Sequence, residues 1–221
     1  MSKCVISILL LVAMLCAIPY AGAEDLSKMS TEELIQLRQD INNELAARAE
    51  PATLEAGKTI IDVFPDKNIA IKMRDEMGAF SINDPVTDEM LESVTYIFIN
   101  DMNLGIESLE GVQYLPKLKS IEVIYEPTLT QLPDLSGLKF LYELDFTHCG
   151  LTELPDWICN CQALEKIEVD FNPVKNLPEN IGNLSTLKEL DISYTEITEL
   201  PASIKNLKLK EFNRKGLDLG D

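Results

Sequence analysis

Leu164-Glu165-Lys166-Ile167-Glu168-Val169-Asp170-Phe171-Asn172-Pro173-Val174 is one copy of a pattern that recurs through the second half of the chain. Its template, Leu-x-x-Leu-x-Leu-x-x-Asn-x-Leu, returns at Leu141-Tyr142-Glu143-Leu144-Asp145-Phe146 and at Leu187-Lys188-Glu189-Leu190-Asp191-Ile192. These starts lie 23 residues apart. Stepping back 23 reaches Leu118-Lys119-Ser120-Ile121-Glu122-Val123, and a further 24 reaches Val94-Thr95-Tyr96-Ile97-Phe98-Ile99. A shorter last unit begins at Leu209 and continues to Phe212. The asparagine place holds Asn172 in one unit and Cys149 or Thr195 in others. The second half of each unit agrees as well: Leu154-Pro155, Leu177-Pro178 and Leu200-Pro201 precede Ile158, Ile181 and Ile204 by four residues. The alternation around Leu-x-Leu puts successive side chains on opposite faces, as a strand requires. No unit can cover its own apolar face, so neighbouring units stack and share one long core.

This pattern resembles the typical 23-residue class of leucine-rich repeats. The resemblance implies an α/β leucine-rich-repeat solenoid, a curved parallel sheet of about six 23-residue units over residues 94–221. A stacked array needs capped ends. Ile60-Ile61-Asp62-Val63-Phe64-Pro65-Asp66, then Ile69 to Gly78, then Ile82-Asn83-Asp84-Pro85-Val86-Thr87 resembles the helical N-terminal cap of the internalin family, and places a cap at 57–93. The stretch Gly105-Ile106-Glu107-Ser108-Leu109-Glu110-Gly111-Val112 is similar to that family's first repeat, so the likeness runs from about 57 to 125. Beyond it the units depart from the internalin pattern. They are longer than its 22-residue units and carry Leu-Pro-x-x-Ile, so no host receptor is carried over. No cell-wall sorting signal or immunoglobulin-like domain follows the repeats.

Residues 1–23 have the layout of a cleaved export signal: Lys3, the apolar run Val5 to Ile18, then Ala21-Gly22-Ala23. The run is shorter than the roughly 20 residues of a membrane-spanning helix. Cys16 offers a lipid-attachment alternative, although Leu15 stands where a bacterial lipoprotein signal wants a small residue. The expected location is therefore secreted, extracellular or at the cell surface. Residues 24–56 read as an amphipathic helix and linker, with a capping box at Ser30-Thr31-Glu32-Glu33 and a stripe of Leu34, Leu37, Ile41 and Leu45. The stripe packs on the cap or serves self-association or a partner. The whole chain carries a formal charge of −18. Without residues 1–23 it has 18 basic against 37 acidic side chains, or −19. Such a charge repels nucleic acid and anionic membrane, and favours a protein or peptide ligand of basic character.

On a solenoid the outward residues of the strands form the usual contact surface. The outward residue between the two core positions of each strand is Phe98, Glu122, Asp145, Glu168 and Asp191 in turn. Four stacked acids repel unless cations or a basic partner neutralise them. Two residues past the last core position run Tyr125, His148, Phe171 and Tyr194, a column of rings that either contacts a ligand or packs on itself. These eight acidic and ring residues are the candidate partner-binding set. A glycan or cell-envelope component stacked on the rings is the alternative ligand, and a purely structural role a third. His148 beside Cys149 invites a thiol–imidazole dyad, and with Cys159 and Cys161 a zinc site. The register opposes both: Cys149 and Cys161 fall on core positions, His148 points out, and only Cys159 is expected at the surface. No catalytic residue, metal ligand or cofactor is assigned, and an enzyme is not expected.

Overall fold

The computed structural model describes residues 53–219. The export signal and the capping-box helix lie outside the described residues. At the N-terminal end, three helices form the cap: α1 (Ile60–Val63), α2 (Lys67–Glu76) and α3 (Asp88–Ser93). Ile69, Ala70 and Met73 face inward from α2 and are buried, with Ile60 and Phe64 beside them. Asp66 starts α2, its Oδ1 accepting from the backbone N–H groups of Asn68 and Ile69. Its Oδ2 accepts from Glu107 N at 2.8 Å and Ser108 N at 3.3 Å, which ties the cap to the first coil. One carboxylate thus caps a helix and a turn from different elements. The same junction explains Gly111, whose φ is 103°: a Cβ there would lie 2.3 Å from the Val63 carbonyl oxygen.

Six short strands follow: β1 (Tyr96–Ile99), β2 (Ser120–Val123), β3 (Glu143–Asp145), β4 (Lys166–Glu168), β5 (Glu189–Asp191) and β6 (Glu211–Asn213). They pair in chain order into one parallel sheet that does not close. Opposite the strands, four 3-10 helices carry the chain back: η1 (Val112–Tyr114), η2 (Asp156–Asn160), η3 (Ile181–Asn183) and η4 (Ala202–Asn206). Ile97, Ile121, Leu144, Ile167 and Leu190 align across the sheet and are all buried, as the repeat register requires. The core is continuous from Ile60 in the cap to Ile197. Leu209, Phe212, Leu217 and Leu219 pack against it at the far end.

In four successive units the ninth place closes the turn after the strand with a polar group. Asn172 donates from Nδ2 to the carbonyls of Phe146, Val169 and Asp170, and its Oδ1 accepts from Leu151 N at 3.0 Å. Cys149 donates its thiol to the Val123 carbonyl at 3.2 Å, and Thr195 donates to that of Ile192 at 2.8 Å. In the β2 unit the place is taken by Glu126, which is fully buried. Its carboxylate accepts from the backbone N–H groups of Leu104, Gly105 and Ile106 at 2.7, 3.0 and 3.0 Å. A buried charge is tolerable when several donors replace its hydration, as here. Replacing Glu126 by Ala orphans the buried N–H of Ile106 and the partly buried ones of Leu104 and Gly105, so unfolding in urea is expected to lose roughly 2 kcal/mol or more. Glu126→Gln keeps one acceptor oxygen and loses less.

Candidate functional site

The strand pairing builds the outer face of the sheet from two columns of side chains. One runs Phe98, Glu122, Asp145, Glu168, Asp191 and Asn213, and the other Tyr96, Ser120, Glu143, Lys166, Glu189 and Glu211. Sequence reasoning singled out the first column and missed the second. The signal was present, because the residue just before a strand's first core position faces the same way as the one just after it. Together the columns hold seven carboxylates against one ammonium, with Tyr96 and Phe98 half-exposed at the cap end.

The acids are not equivalent. Asp145 is buried, and its Oδ1 accepts from the Thr147 backbone N–H at 2.9 Å and hydroxyl at 2.7 Å. The short aspartate chain folds back onto its own turn and offers little surface. Asp191 does the same with Ser193 N at 2.8 Å but stays half-exposed. Lys166 sits between Glu143 at 3.1 Å and Glu168 at 2.9 Å. Burial alone would depress its ammonium, but hydrogen bonds to Glu168 and Glu143 outweigh this and hold its pKa above the ordinary lysine value. Part of the ladder's repulsion is thus relieved inside the chain. Glu122, Glu189 and Glu211 have no cationic partner among the described residues.

Along one border of the face, Tyr125, His148, Phe171 and Tyr194 stack on one another. Ring centroids are 4.9, 4.1 and 4.5 Å apart, with planes inclined by 23°, 10° and 18°. Each of the four residues has a left-handed backbone, with φ of 65°, 55°, 54° and 55°. The backbone there extends the sheet's ladder by one step: Tyr125 N donates to Thr147 O, His148 N to Asp170 O and Phe171 N to Ser193 O. Asn103 holds the same conformation before them, and its N–H donates to Tyr125 O. Asparagine suits that region, whereas a ring residue costs about 1–2 kcal/mol there. A stacked pair returns about 0.5–1.5 kcal/mol beyond area burial. With the area the rings bury on one another added, the return from the stack is of the same order as the strain. The outer face of the Tyr194 ring lies against Gly216, where a Cβ would come within 2.7 Å of Cδ1. His148 and Phe171 have a ring on each side, and Tyr125, Phe171 and Tyr194 remain 39%, 42% and 51% exposed.

The cysteines fall on both sides of the expectation. Cys149 and Cys161 are buried, and burial pushes each thiol up to about 12. The Cys149 sulfur points at the Val123 carbonyl while the His148 ring stands in the stack, so the two do not form a dyad. Cys159, expected at the surface, is buried at 2% exposure. Its place in η2 corresponds to Gly182 in η3, where a Cβ would lie 2.1 Å from the Ser203 carbonyl. That position faces the next coil rather than solvent. Among the described residues no group of His, Cys, Asp and Glu has metal-binding geometry.

This architecture defines a leucine-rich-repeat protein, and comparison with known proteins gives the same class. A family model described as bacterial adhesion/invasion protein N terminal, that of internalins, matches residues 47–92. The leucine-rich-repeat model matches residues 140–161 and 186–207. Internalin C2 of Listeria monocytogenes is similar over 77% of this chain and 92% of its own, at 20% identity and a TM-score of 0.51. The functional domain of InlJ from the same organism, which includes a cysteine ladder, is similar at 24% identity and a TM-score of 0.59. That match covers 73% of this chain but only 34% of the InlJ chain. Internalin InlF aligns at 18% identity and a TM-score of 0.51, with 75% of this chain and 60% of that one covered. The chain is thus similar to internalins at its N-terminal cap and to leucine-rich repeats in its later units, and it shares their fold.

Two carboxyl groups near the stack shape the response to pH. Burial raises the pKa of Glu168, against the lowering effect of Lys166. Burial also raises that of Asp170, whose Oδ1 lies 2.7 Å from the Thr147 hydroxyl that it shares with Asp145, with Asp191 and Asp145 adding repulsion. Between the ordinary carboxylate pKa and these raised values, the folded protein holds protons that the unfolded chain has released. Stability therefore falls as pH rises through that window and returns on acidification. Asp170→Asn keeps the acceptor oxygen, so its thermal midpoint at pH 7 is expected above the parent's. The gain on moving from pH 7 into the carboxylate range, followed by calorimetry, shrinks in the variant.

Proposed function

We propose that the protein is an extracellular or cell-surface recognition module that binds a protein or peptide of basic character on the outer face of its sheet. The observation that carries this reading is the imbalance of seven carboxylates and one ammonium on that face, bordered by the partly exposed ring stack. Glu122, Glu168 and Asp191 supply the attraction, joined by Glu189 and Glu211 from the column missed in the sequence. Tyr96 and Phe98 at the cap end, and Tyr125, Phe171 and Tyr194 along the border, supply apolar contact. His148 fills the middle of the stack, and Asp145 shapes its turn from below. Six strands at roughly 4.8 Å span about 25 Å, which suits a peptide, a loop or a small domain. Secretion follows from the export signal read in residues 1–23, and an adhesive role from the internalin-type cap.

The glycan alternative draws less support. A sugar platform needs a free ring face, and His148 and Phe171 have both faces against neighbouring rings. The test is capture from cell-surface extracts by residues 24–221, beside a folded Tyr125→Asn/Phe171→Asn/Tyr194→Asn variant. Asparagine suits the left-handed backbone, so the variant keeps its fold. A protein retained by the parent, released by salt and lost with the variant is the expected result. Equal capture by both, or release by soluble oligosaccharides, contradicts the proposal.

A further inference from the structure

A second surface lies away from the sheet, where three successive coils turn into η2, η3 and η4. A groove of about 470 Å³ runs across them, its floor made by Leu154-Pro155, Leu177-Pro178 and Leu200-Pro201. That volume is within the range of ligand sites. Its walls carry Glu153, Asp156, Glu179 and Glu199, which are exposed. The four have no ion-pair partner among the described residues. Lys175, one residue before the groove's Asn176, is turned to Glu196 at 4.0 Å instead. The contrast with the sheet face is direct, since there Lys166 already occupies part of the acid ladder.

The chemistry of the groove is one-sided. Each coil places a proline on the floor, and proline has no N–H to offer. The proline carbonyls are already taken by the N–H groups of Ile158, Ile181 and Ile204. The walls supply acceptor-only carboxylates, with Asn176 the one side-chain amide in the lining. A strand cannot add itself by backbone pairing to such a floor. A chain with its own donors on long side chains, lying flat on leucine and proline, can fill it. Coils about 4.8 Å apart put the first and third Leu-Pro pairs about 10 Å apart, the reach of three extended residues.

We infer that this groove is a docking site, separate from the sheet face, for an extended lysine- or arginine-bearing peptide segment rich in proline. Proline in the ligand fits because it holds the chain extended at little entropic loss and needs no backbone partner. The basic side chains of the segment pair with Glu153, Glu179 and Glu199 while its apolar ridge covers the Leu-Pro floor.

The probe is a synthetic ten-residue peptide of alternating lysine and proline, titrated into the full-length chain with amide shifts followed by NMR and affinity by anisotropy. Shifts are expected at Leu154, Asp156, Leu177, Glu179 and Leu200. Glu153→Gln/Glu179→Gln/Glu199→Gln, three exposed substitutions that leave the core untouched, weakens binding about tenfold. Glu122→Gln/Glu189→Gln on the sheet face leaves it within about twofold, and a serine–proline peptide of the same length does not bind. The inference is overturned by no binding, by shifts confined to the sheet face, or by a groove variant that binds like the parent. It is equally overturned if the sheet-face variant loses as much, because that pattern reports only long-range attraction to an acidic protein. Shifts confined to the sheet face would assign the peptide to the sheet-face site and so overturn this inference while favouring that reading; a groove variant that binds like the parent overturns this inference and leaves that reading to the capture experiment.

Discussion

From the second coil to the fifth, the chain leaves its strand through one residue with a left-handed backbone, and the ring column depends on that constraint. The N–H of this residue bonds to the neighbouring coil, as in Tyr125 to Thr147 and His148 to Asp170. The turn is thus held in the same place in these four units, and side chains leaving it are carried in register from coil to coil. Rings at that position have no choice but to meet at coil spacing, and they do so with centroids 4.1 to 4.9 Å apart. Asn103 shows the conformation filled by a residue that suits it. Four ring residues in succession fill it against their backbone preference, and their stacking offsets that strain.

The inside of the turn obeys a matching requirement. Its backbone groups are buried and must be bonded. Asn172, Cys149, Thr195 and Glu126 meet this with different chemistry at one place in the repeat. Asp66 does the equivalent at the seam between cap and array. With these groups satisfied, the leucine core stacks without interruption, and the outer columns of the sheet are free to vary in charge.

Much of this was legible beforehand because a 23-residue period leaves few ways to place leucines. Leu141, Leu164 and Leu187 alone set the register, and Ile97, Ile121 and Leu144 fell into it. The ring and acid columns followed from the same count. What escaped depended on distances that periodicity does not carry. Asp145 is buried because its short side chain bonds back to Thr147, a matter of rotamer rather than spacing. Cys159 is buried because coils close tightly at the 3-10 helices, as the space around Gly182 demonstrates. Glu126 is held inside by three donors from the previous coil, contacts that spacing alone does not carry. The left-handed backbone under the rings had no sequence signal, since its usual markers, glycine and asparagine, are absent there.

The central claim is that the rings stand at strained positions for contact rather than for stability. It is tested most directly by the unfolding free energy of the Tyr125→Asn/Phe171→Asn/Tyr194→Asn variant in urea at pH 7. Relief of about 1–2 kcal/mol of backbone strain at each site offsets the lost stacking, so the account predicts a value within about 2 kcal/mol of the parent. A loss of about 5 kcal/mol or more would mean that the column holds the array together, and would contradict the account.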